Sequence, residues 1–430
     1  MKKVIVAGAG VSGKNAAKLL LDQGCEVILF DGNENKDAEE LYNAIGRERL
    51  EIILGKLSPE SLAGVTECVI SPGIDLDNPD ICTIRDAGIP IISEVEAAYR
   101  AGKGRIIAIT GTNGKTTTTA LTGQICSDFG LDTFVVGNIG NAYTSEALKM
   151  KDDSISVAEI SSFQLETIVD FHPNISAILN ITPDHLNRHK TMDNYAAAKR
   201  LITKNQTKDD VVVLNYEDER LRKMAEDMVP HVLFFSSARE LPEGAFLRGE
   251  DIIIRLNGSE QKLCTIHDMT LLGKHNYENV MAAALMGLAA GVSIESIRET
   301  VRIFQAVEHR IEYVTDINDV KYYNDSKGTN PDAAIQAINA MVRPTVLIGG
   351  GYDKGGEFDE WIKACVGKVT YLVLLGATAK KIGATAEKYG IKNIVYTETF
   401  KEAVEKCIEL ARPGDAVLLS PACASWDMFP

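Results

Sequence analysis

Short apolar runs alternate with helix-length amphipathic stretches along the whole chain. KVIVA (3–7) is continuously apolar, as a strand buried on both faces requires. A Gly-rich turn follows, then GKNAAKLLLDQG (13–24) with apolar residues at helical spacing, then CEVILFD (25–31). That is a βαβ unit, and the runs EIIL, ECVIS and IPIIS extend it to about Ser93. A second series runs from about Glu94 to 305, with strands predicted at RIIAIT (105–110), TFVVG, SISVAEI, ISAILNI and VVVLN. It ends near a long Ala-rich helix, NYENVMAAALMGLAAG (276–291). A third series begins near Ala306 with a hairpin candidate, IEYVTDINDVKYYND. Helices and strands then alternate through AAIQAINAM, TVLIGG, YLVLLG, NIVYTE, FKEAVEKCIELA and AVLLS. Such alternation predicts an α/β fold with parallel, doubly wound sheets. At 430 residues the chain exceeds one core, so three domains are expected, over 1–93, 94–305 and 306–430.

Composition changes this picture little: 45% apolar and 24% charged residues are ordinary for a soluble globular protein. No stretch supplies the roughly 18 apolar residues of a membrane span. The start, MKKVIVAGAG, mimics a signal peptide, but it breaks into Ser12-Gly13-Lys14-Asn15 and reads as a strand and turn. The net charge of −15 argues against nonspecific nucleic-acid binding. Anionic substrates would have to be collected by local basic residues. Eight cysteines lack metal-like spacing, which predicts reduced thiols and a cytoplasmic location.

The densest chemistry lies in RIIAITGTNGKTTTT (105–119). A buried strand leads into Gly111-Thr112-Asn113-Gly114, whose backbone N–H groups can fold around an anion at a helix N-terminus. Lys115 supplies a charge for terminal phosphates, Thr116 a hydroxyl for Mg²⁺, and Thr117 continues the turn. The usual phosphate-loop pattern wants a glycine where Ile109 stands, so a plain Gly/Thr turn with a solvated lysine is the competing reading.

The other candidates are each open to a bland reading. Gly8-x-Gly10-x-x-Gly13, with Asp31 ending the next strand, fits a dinucleotide fingerprint, a tight turn, or another nucleotide on the same turn. Ser71-Pro72-Gly73 is a second turn that could line the same crevice. Glu159, at a strand end opposite the phosphate loop, is a metal ligand or a solvated carboxylate. His185 is a functional or a structural histidine, and Lys199 a site residue or a solvated helix lysine. His275 and Asn276 precede the Ala-rich helix, and Asn276 has the chemistry of a cap. Asn279 lies inside that helix among Met and Ala, where a polar residue is harder to explain. In the third series Arg310, Lys327 and Lys354 gather at predicted strand ends, which suggests anionic ligands.

GTNGKTTT, AEISSFQL, LNITPDHLNRH, YAAAK, GKHNYEN, EHR, NDSKGTNPDA, DKGGEF and SPACAS together resemble the Mur ligases, the ATP-dependent amide-bond-forming enzymes of peptidoglycan precursor synthesis. The likeness runs from Val4 to Phe429 and is nearest the branch that joins D-glutamate to UDP-N-acetylmuramoyl-L-alanine. It implies an N-terminal Rossmann-like domain, a central phosphate-loop ATPase-like sheet and a C-terminal Rossmann-like domain. Gly8, Gly10, Ser12, Gly13, Asp31 and Gly73 would bind the uridine nucleotide, with Asn138 on the same substrate. Gly111 to Thr117 would hold ATP, joined by Asn279, Arg310 and Asp325. Thr116 and Glu159 would hold one Mg²⁺, and His185 with a carbamylated Lys199 a second. Lys327, Thr329, Lys354, Ser420 and Phe429 would hold D-glutamate. Lys115, His185 and Lys199 are the catalytic candidates. Two departures stand out: family members usually continue past the DMF segment into a final helix, and Gly32-Asn33 differ from the Thr/Arg often found there.

The resemblance implies an acyl-phosphate route, a cytoplasmic monomer, and domain closure about hinges near 93–94 and 305–306. Three competitors remain at this stage. They are an NAD-dependent oxidoreductase resting on the Gly8–Gly13 turn, a catalytically idle nucleotide-binding regulator, and a ligase for a different amino acid.

Overall fold

The computed structural model describes residues 1–271, 273–305, 311–353 and 355–425. It contains three sheets, one for each predicted series. The first is made of β1 (Lys3–Ala7), β2 (Glu26–Asp31), β3 (Leu50–Leu54), β4 (Val65–Ile70) and β5 (Ile91–Ser93). Its order is β3-β2-β1-β4-β5, all parallel, the doubly wound arrangement. Val4 to Ala7 are all buried, because helices cover both faces of the sheet.

The second sheet holds β6 (Arg105–Thr110), β7 (Thr133–Gly137), β8 (Ile155–Glu159), β9 (Ile175–Ile178), β10 (Val211–Asn215), β11 (His231–Ser236), β12 (Gly244–Arg248), β13 (Asp251–Leu256) and β14 (Ser259–Thr265). Its order is β14-β13-β12-β11-β10-β9-β6-β8-β7. β6 lies between β8 and β9, parallel to both, so the ends of all three strands open onto one edge. The third sheet holds β15 (Glu312–Ile317), β16 (Val320–Asn324), β17 (Thr345–Gly349), β18 (Val369–Leu374), β19 (Ile394–Tyr396) and β20 (Ala416–Leu419), in the order β15-β16-β20-β17-β18-β19. The expected hairpin forms as the antiparallel pair β15–β16, and the other pairings are parallel.

The chain divides into two compact units, Met1–Leu263 with Val280–Thr300, and Cys264–Asn279 with Val301–Pro430. The first two sheets lie in the first unit, apart from the last two residues of β14. The junction at 93–94, expected to act as a hinge, is tied by hydrogen bonds on both sides. Ser93 is buried, its N–H reaches the Thr167 carbonyl at 3.3 Å, and its hydroxyl accepts from Glu96 N–H at 3.2 Å. The fully buried Glu96 carboxylate then accepts three consecutive backbone N–H groups, from Val169, Asp170 and Phe171, at 2.9–3.0 Å, and holds Arg100 at 2.8 Å. A hinge needs residues that can change φ and ψ at little cost, and this network adds to the cost of movement at that point. No described helix is long and apolar enough to cross a membrane.

Candidate active site

Gly111 has φ +154°, and a Cβ there would lie 3.1 Å from the Leu179 Cβ. Gly114, at φ +84°, starts the helix Lys115–Asp128 with no side-chain cap. The turn is therefore bare backbone at a helix N-terminus, suited to an anion. Ile109, where the usual pattern has a glycine, is fully buried inside β6. The turn is cradled by Asn180, two residues past β9. Its Oδ1 accepts the N–H of Thr112 at 3.1 Å and of Asn113 at 2.8 Å, and its Nδ2 donates to the Asn113 carbonyl at 3.0 Å. The Thr112 hydroxyl donates to the Thr182 carbonyl at 3.1 Å and lies 3.2 Å from the Tyr195 hydroxyl. Sequence reasoning missed Asn180. The one signal was a polar residue ending an apolar run.

Two lysines meet on one carbonyl. Lys115 Nζ donates to Gly111 O at 3.0 Å and Thr112 O at 2.8 Å, and Lys199 Nζ donates to Gly111 O at 2.7 Å. Lys199 is not a solvated helix lysine: it is only 2% exposed and lies 4.4 Å from the centre of the Tyr195 ring. Burial, reinforced by the Lys115 charge, holds its amine well below the usual lysine range, against the opposing pull of Asp184 and Glu159.

Glu159, at the end of β8, is also buried, at 2% exposure. Asn138 donates to its Oε1 at 3.2 Å, while Oε2 is buried with no hydrogen-bond partner among the described residues. An uncompensated carboxylate oxygen is costly, and a cation would remove that cost. Among the described residues no three His, Cys, Asp or Glu side chains converge as a ready metal cage. The donors at hand are hard oxygens, which suit Mg²⁺ completed by phosphate and water. His185 takes a left-handed conformation, φ +54°, in the turn after Asp184, and its ring meets Phe163 edge-on at 5.0 Å. Thr116 and Thr117 lie buried in the first turn of the Lys115 helix.

A second constellation stands beside these groups. His189 Nε2 is 2.9 Å from the Ser162 hydroxyl, and its Nδ1 faces Glu166 Oε1 at 3.5 Å. Burial, aided by the charges of Arg188, His185 and Lys199, pushes its imidazole down to about 4, so the ring is neutral at pH 7. Sequence reasoning passed over Ser162, Glu166, Arg188 and His189, although Ser162, Arg188 and His189 lie in the quoted AEISSFQL and LNITPDHLNRH segments and Glu166 directly follows the first.

In the first sheet, a cleft of about 410 Å³ is lined by Gly8, Gly10, Ser12, Asp31 and the Ser71-Pro72-Gly73 turn, among others. Gly8 has φ +100°, and a Cβ on Gly13 would lie 1.7 Å from the Gly8 carbonyl oxygen. Gly13 thus packs behind the turn rather than lining the cleft. Asp31 accepts from the N–H of Ala9 at 2.8 Å and of Asn33 at 2.9 Å, and pairs with Lys36 at 2.9 Å. Burial alone would raise its carboxyl, but these partners outweigh it and hold it below the ordinary range. Asn138 stands apart, on Glu159.

The second unit is described by itself. Asp325 and Ser420 follow the paired ends of β16 and β20, where open α/β sheets take ligands. Both are buried, and the Ser420 hydroxyl donates to Asp325 Oδ2 at 2.7 Å. Gly328 closes against this pair, with its N–H on the Asp325 carbonyl at 2.8 Å. Lys327 is exposed and Thr329 half-buried on the following turn. Asn330 caps the helix Pro331–Ala340 through Ala333 N–H at 2.8 Å. The Ala-rich helix starts at Lys274, so Asn276 is not its cap but lies in its first turn, accepting from Asn279 Nδ2 at 3.1 Å. Arg310, Lys354 and Phe429 lie outside the described residues.

Three family models match the chain in order: the Mur ligase MurD-like N-terminal domain over residues 2–93, the Mur ligase middle domain over 109–287, and the Mur ligase glutamate ligase domain over 309–423. The UDP-N-acetylmuramoylalanine–D-glutamate ligase of Lachnospira eligens is 55% identical over 428 residues, covering 100% of this chain and 95% of its own. That of Lachnoclostridium phytofermentans is 54% identical over 429 residues, covering 100% and 94%. Among solved structures, a UDP-N-acetylmuramate–alanine ligase from Thermotoga maritima superposes with a TM-score of 0.63 at 20% identity, covering 98% of this chain and 96% of that one. A MurF ligase from the same organism, solved with ADP, gives 0.60 at 18%, covering 97% and 90%. These last two bear on the fold alone.

Proposed function

The chain belongs to the Mur ligase family, and on that premise we propose how its residues share the work. The enzyme is an ATP-dependent amide-bond-forming ligase that adds D-glutamate to UDP-N-acetylmuramoyl-L-alanine in peptidoglycan synthesis. The proposed domains are 1–93 for the sugar nucleotide, 94–305 for ATP and 306–430 for the amino acid.

A carboxylate does not form an amide with an amine in water until it is activated. In the proposed route a muramoyl-alanine carboxylate oxygen attacks the γ-phosphorus of ATP, the bond to the β-phosphate oxygen breaks, and ADP leaves. The amine nitrogen of D-glutamate then attacks the acyl carbon, the C–O bond breaks, phosphate leaves, and the nitrogen loses a proton. Both partners of the first step are anions, so catalysis is mainly positioning and charge neutralisation. Lys115 and the bare turn Gly111–Gly114 serve the phosphates. The observation that carries the proposal is the meeting of Lys115 and Lys199 on Gly111 O, in the same domain as the orphaned oxygen of Glu159.

ATP and Mg²⁺ are the family's cofactors, and bound Mg²⁺ supplies charge neutralisation at the phosphates. Thr116 and Glu159 would hold one ion, His185 and modified Lys199 a second. The modification is a carbamate: CO₂ bonds to the neutral Lys199 amine, a proton leaves, and a cationic side chain becomes anionic. The depressed basicity of that amine supports this, since only the neutral form reacts. Asp31, Gly8, Gly10, Ser12 and Gly73 would form the uridine site, with Gly13 supporting its turn from behind and Asn138, beside Glu159, on the same substrate. Asn279, Arg310 and Asp325 would complete the ATP site, and Lys327, Thr329, Lys354, Ser420 and Phe429 would hold D-glutamate. Eight cysteines that form no disulfide among the described residues, seven of them buried, support a cytoplasmic setting, and one chain carrying all three domains supports a monomer.

Trapping tests the route. With ATP and UDP-N-acetylmuramoyl-L-alanine but no D-glutamate, hydroxylamine should capture the activated carboxyl as a hydroxamate with matching ADP. Ligation that proceeds while no hydroxamate ever forms would contradict it.

A further inference from the structure

We infer that Arg188 is a positioning residue that fixes the wall of the nucleotide-sugar cleft to the elements carrying the metal-binding candidates; this rests on the function proposed above. Three contacts meet at its guanidinium. One nitrogen donates to the Pro72 carbonyl at 2.8 Å, another to Glu166 Oε2 at 2.7 Å, and the plane lies 4.1 Å from the centre of the Phe163 ring. Pro72 lines the 410 Å³ cleft between Ser71 and Gly73. Phe163 and Glu166 lie four and seven residues beyond Glu159, and Arg188 itself is three residues beyond His185. All belong to the first compact unit.

The arrangement extends to the phosphate loop. Glu166 faces His189, His189 stacks on Phe163 at 5.3 Å and lies 5.1 Å from Tyr195, and Tyr195 reaches the Thr112 hydroxyl. The Arg188 side chain is only 12% exposed, so the pair with Glu166 is largely shielded from solvent. A planar fork that holds a carbonyl and a carboxylate while stacking on a ring is a task for arginine that lysine cannot duplicate. Arg188 ties the cleft turn to the His185 segment directly through the Pro72 carbonyl, so loss of its side chain frees that wall of the cleft to shift. Reaction between a carboxylate held from one side and a phosphate held from the other is sensitive to misplacement of about 1 Å.

The test is steady-state kinetics of Arg188→Lys and Arg188→Ala, with full-length enzyme and each of the three substrates varied in turn. Both variants should raise KM for UDP-N-acetylmuramoyl-L-alanine by about tenfold or more, the cost of one charge-assisted hydrogen bond, and leave KM for ATP within about threefold. Guanidinium ion should partly restore KM in Arg188→Ala, a response that a general loss of fold would not give. If Arg188→Ala does not fold, Arg188→Lys decides, because it keeps the charge and most of the stem. An unchanged KM for the sugar nucleotide, or an equal rise for all three substrates, would overturn the assignment. A wild-type enzyme that ignores this substrate would instead remove the underlying function.

Discussion

Lys199 Nζ lies 2.7 Å from the Gly111 carbonyl oxygen, joining a buried lysine of the helix Met192–Arg200 to the phosphate-binding turn. Lys115 binds the same oxygen at 3.0 Å, and two full positive charges so placed would repel strongly. A neutral Lys199 relieves that repulsion, and a carbamate reverses it. Lys199→Ala is therefore expected to lose at least about 10²-fold in turnover, with partial recovery in added formate or acetate. Full activity without rescue would remove Lys199 from the metal site.

Lys115→Ala should abolish measurable turnover while leaving the fold intact. Its amine ties the turn that precedes its own helix, and the helix Lys115–Asp128 is packed through the buried Leu121, Ile125 and Cys126. ADP release together with a thermal melt checks both halves. Near-normal ligation by the variant would sink the phosphate-binding role.

Glu94 gives a pH dependence with a definite sign. It is buried, with Gln164 on Oε1 at 2.8 Å and no partner for Oε2 among the described residues, and burial pushes its carboxyl up to about 7. A carboxyl raised above its unfolded value of 4.5 favours folding in its protonated form. Its contribution is complete below about 4.5 and is lost as pH rises through about 7. Glu94→Gln, always neutral, should therefore gain melting temperature relative to the parent as pH rises from 5 to 8. A difference that stays flat over that range would contradict the buried-acid reading.

The glycines of the first turn separate cleanly. Gly13→Ala forces a Cβ to within 1.7 Å of backbone and should cost about 3 kcal/mol, visible as a lowered denaturation midpoint. Gly10 has φ −79° and open space around the missing Cβ, so Gly10→Ala should leave stability unchanged. Equal effects from the two would mean that the turn is not built as described.

The sequence was most legible where periodicity and turn chemistry agree. Continuous apolar runs became buried parallel strands, the alternating IEYVTDINDVKYYND became the β15–β16 hairpin, and Gly111–Lys115 became a bare helix N-terminus. Burial of functional polar residues was not legible. Lys199 sits on a short helix, MDNYAAAKR, whose composition reads as solvent-facing, and only tertiary packing puts its amine inside. Glu159 looked like an ordinary strand end until the neighbouring strands and helices closed around it. The pairing of Ser162 with His189, 27 residues apart, and of Arg188 with Pro72, 116 apart, depends on strand order, which local pattern does not encode.

Phosphate release by the purified chain, with ATP and Mg²⁺, tests the central claim most directly. Release should require UDP-N-acetylmuramoyl-L-alanine and D-glutamate together, and should match the D-glutamate incorporated one for one. Release that ignores either substrate, or that follows a different amino acid in place of D-glutamate, would contradict it.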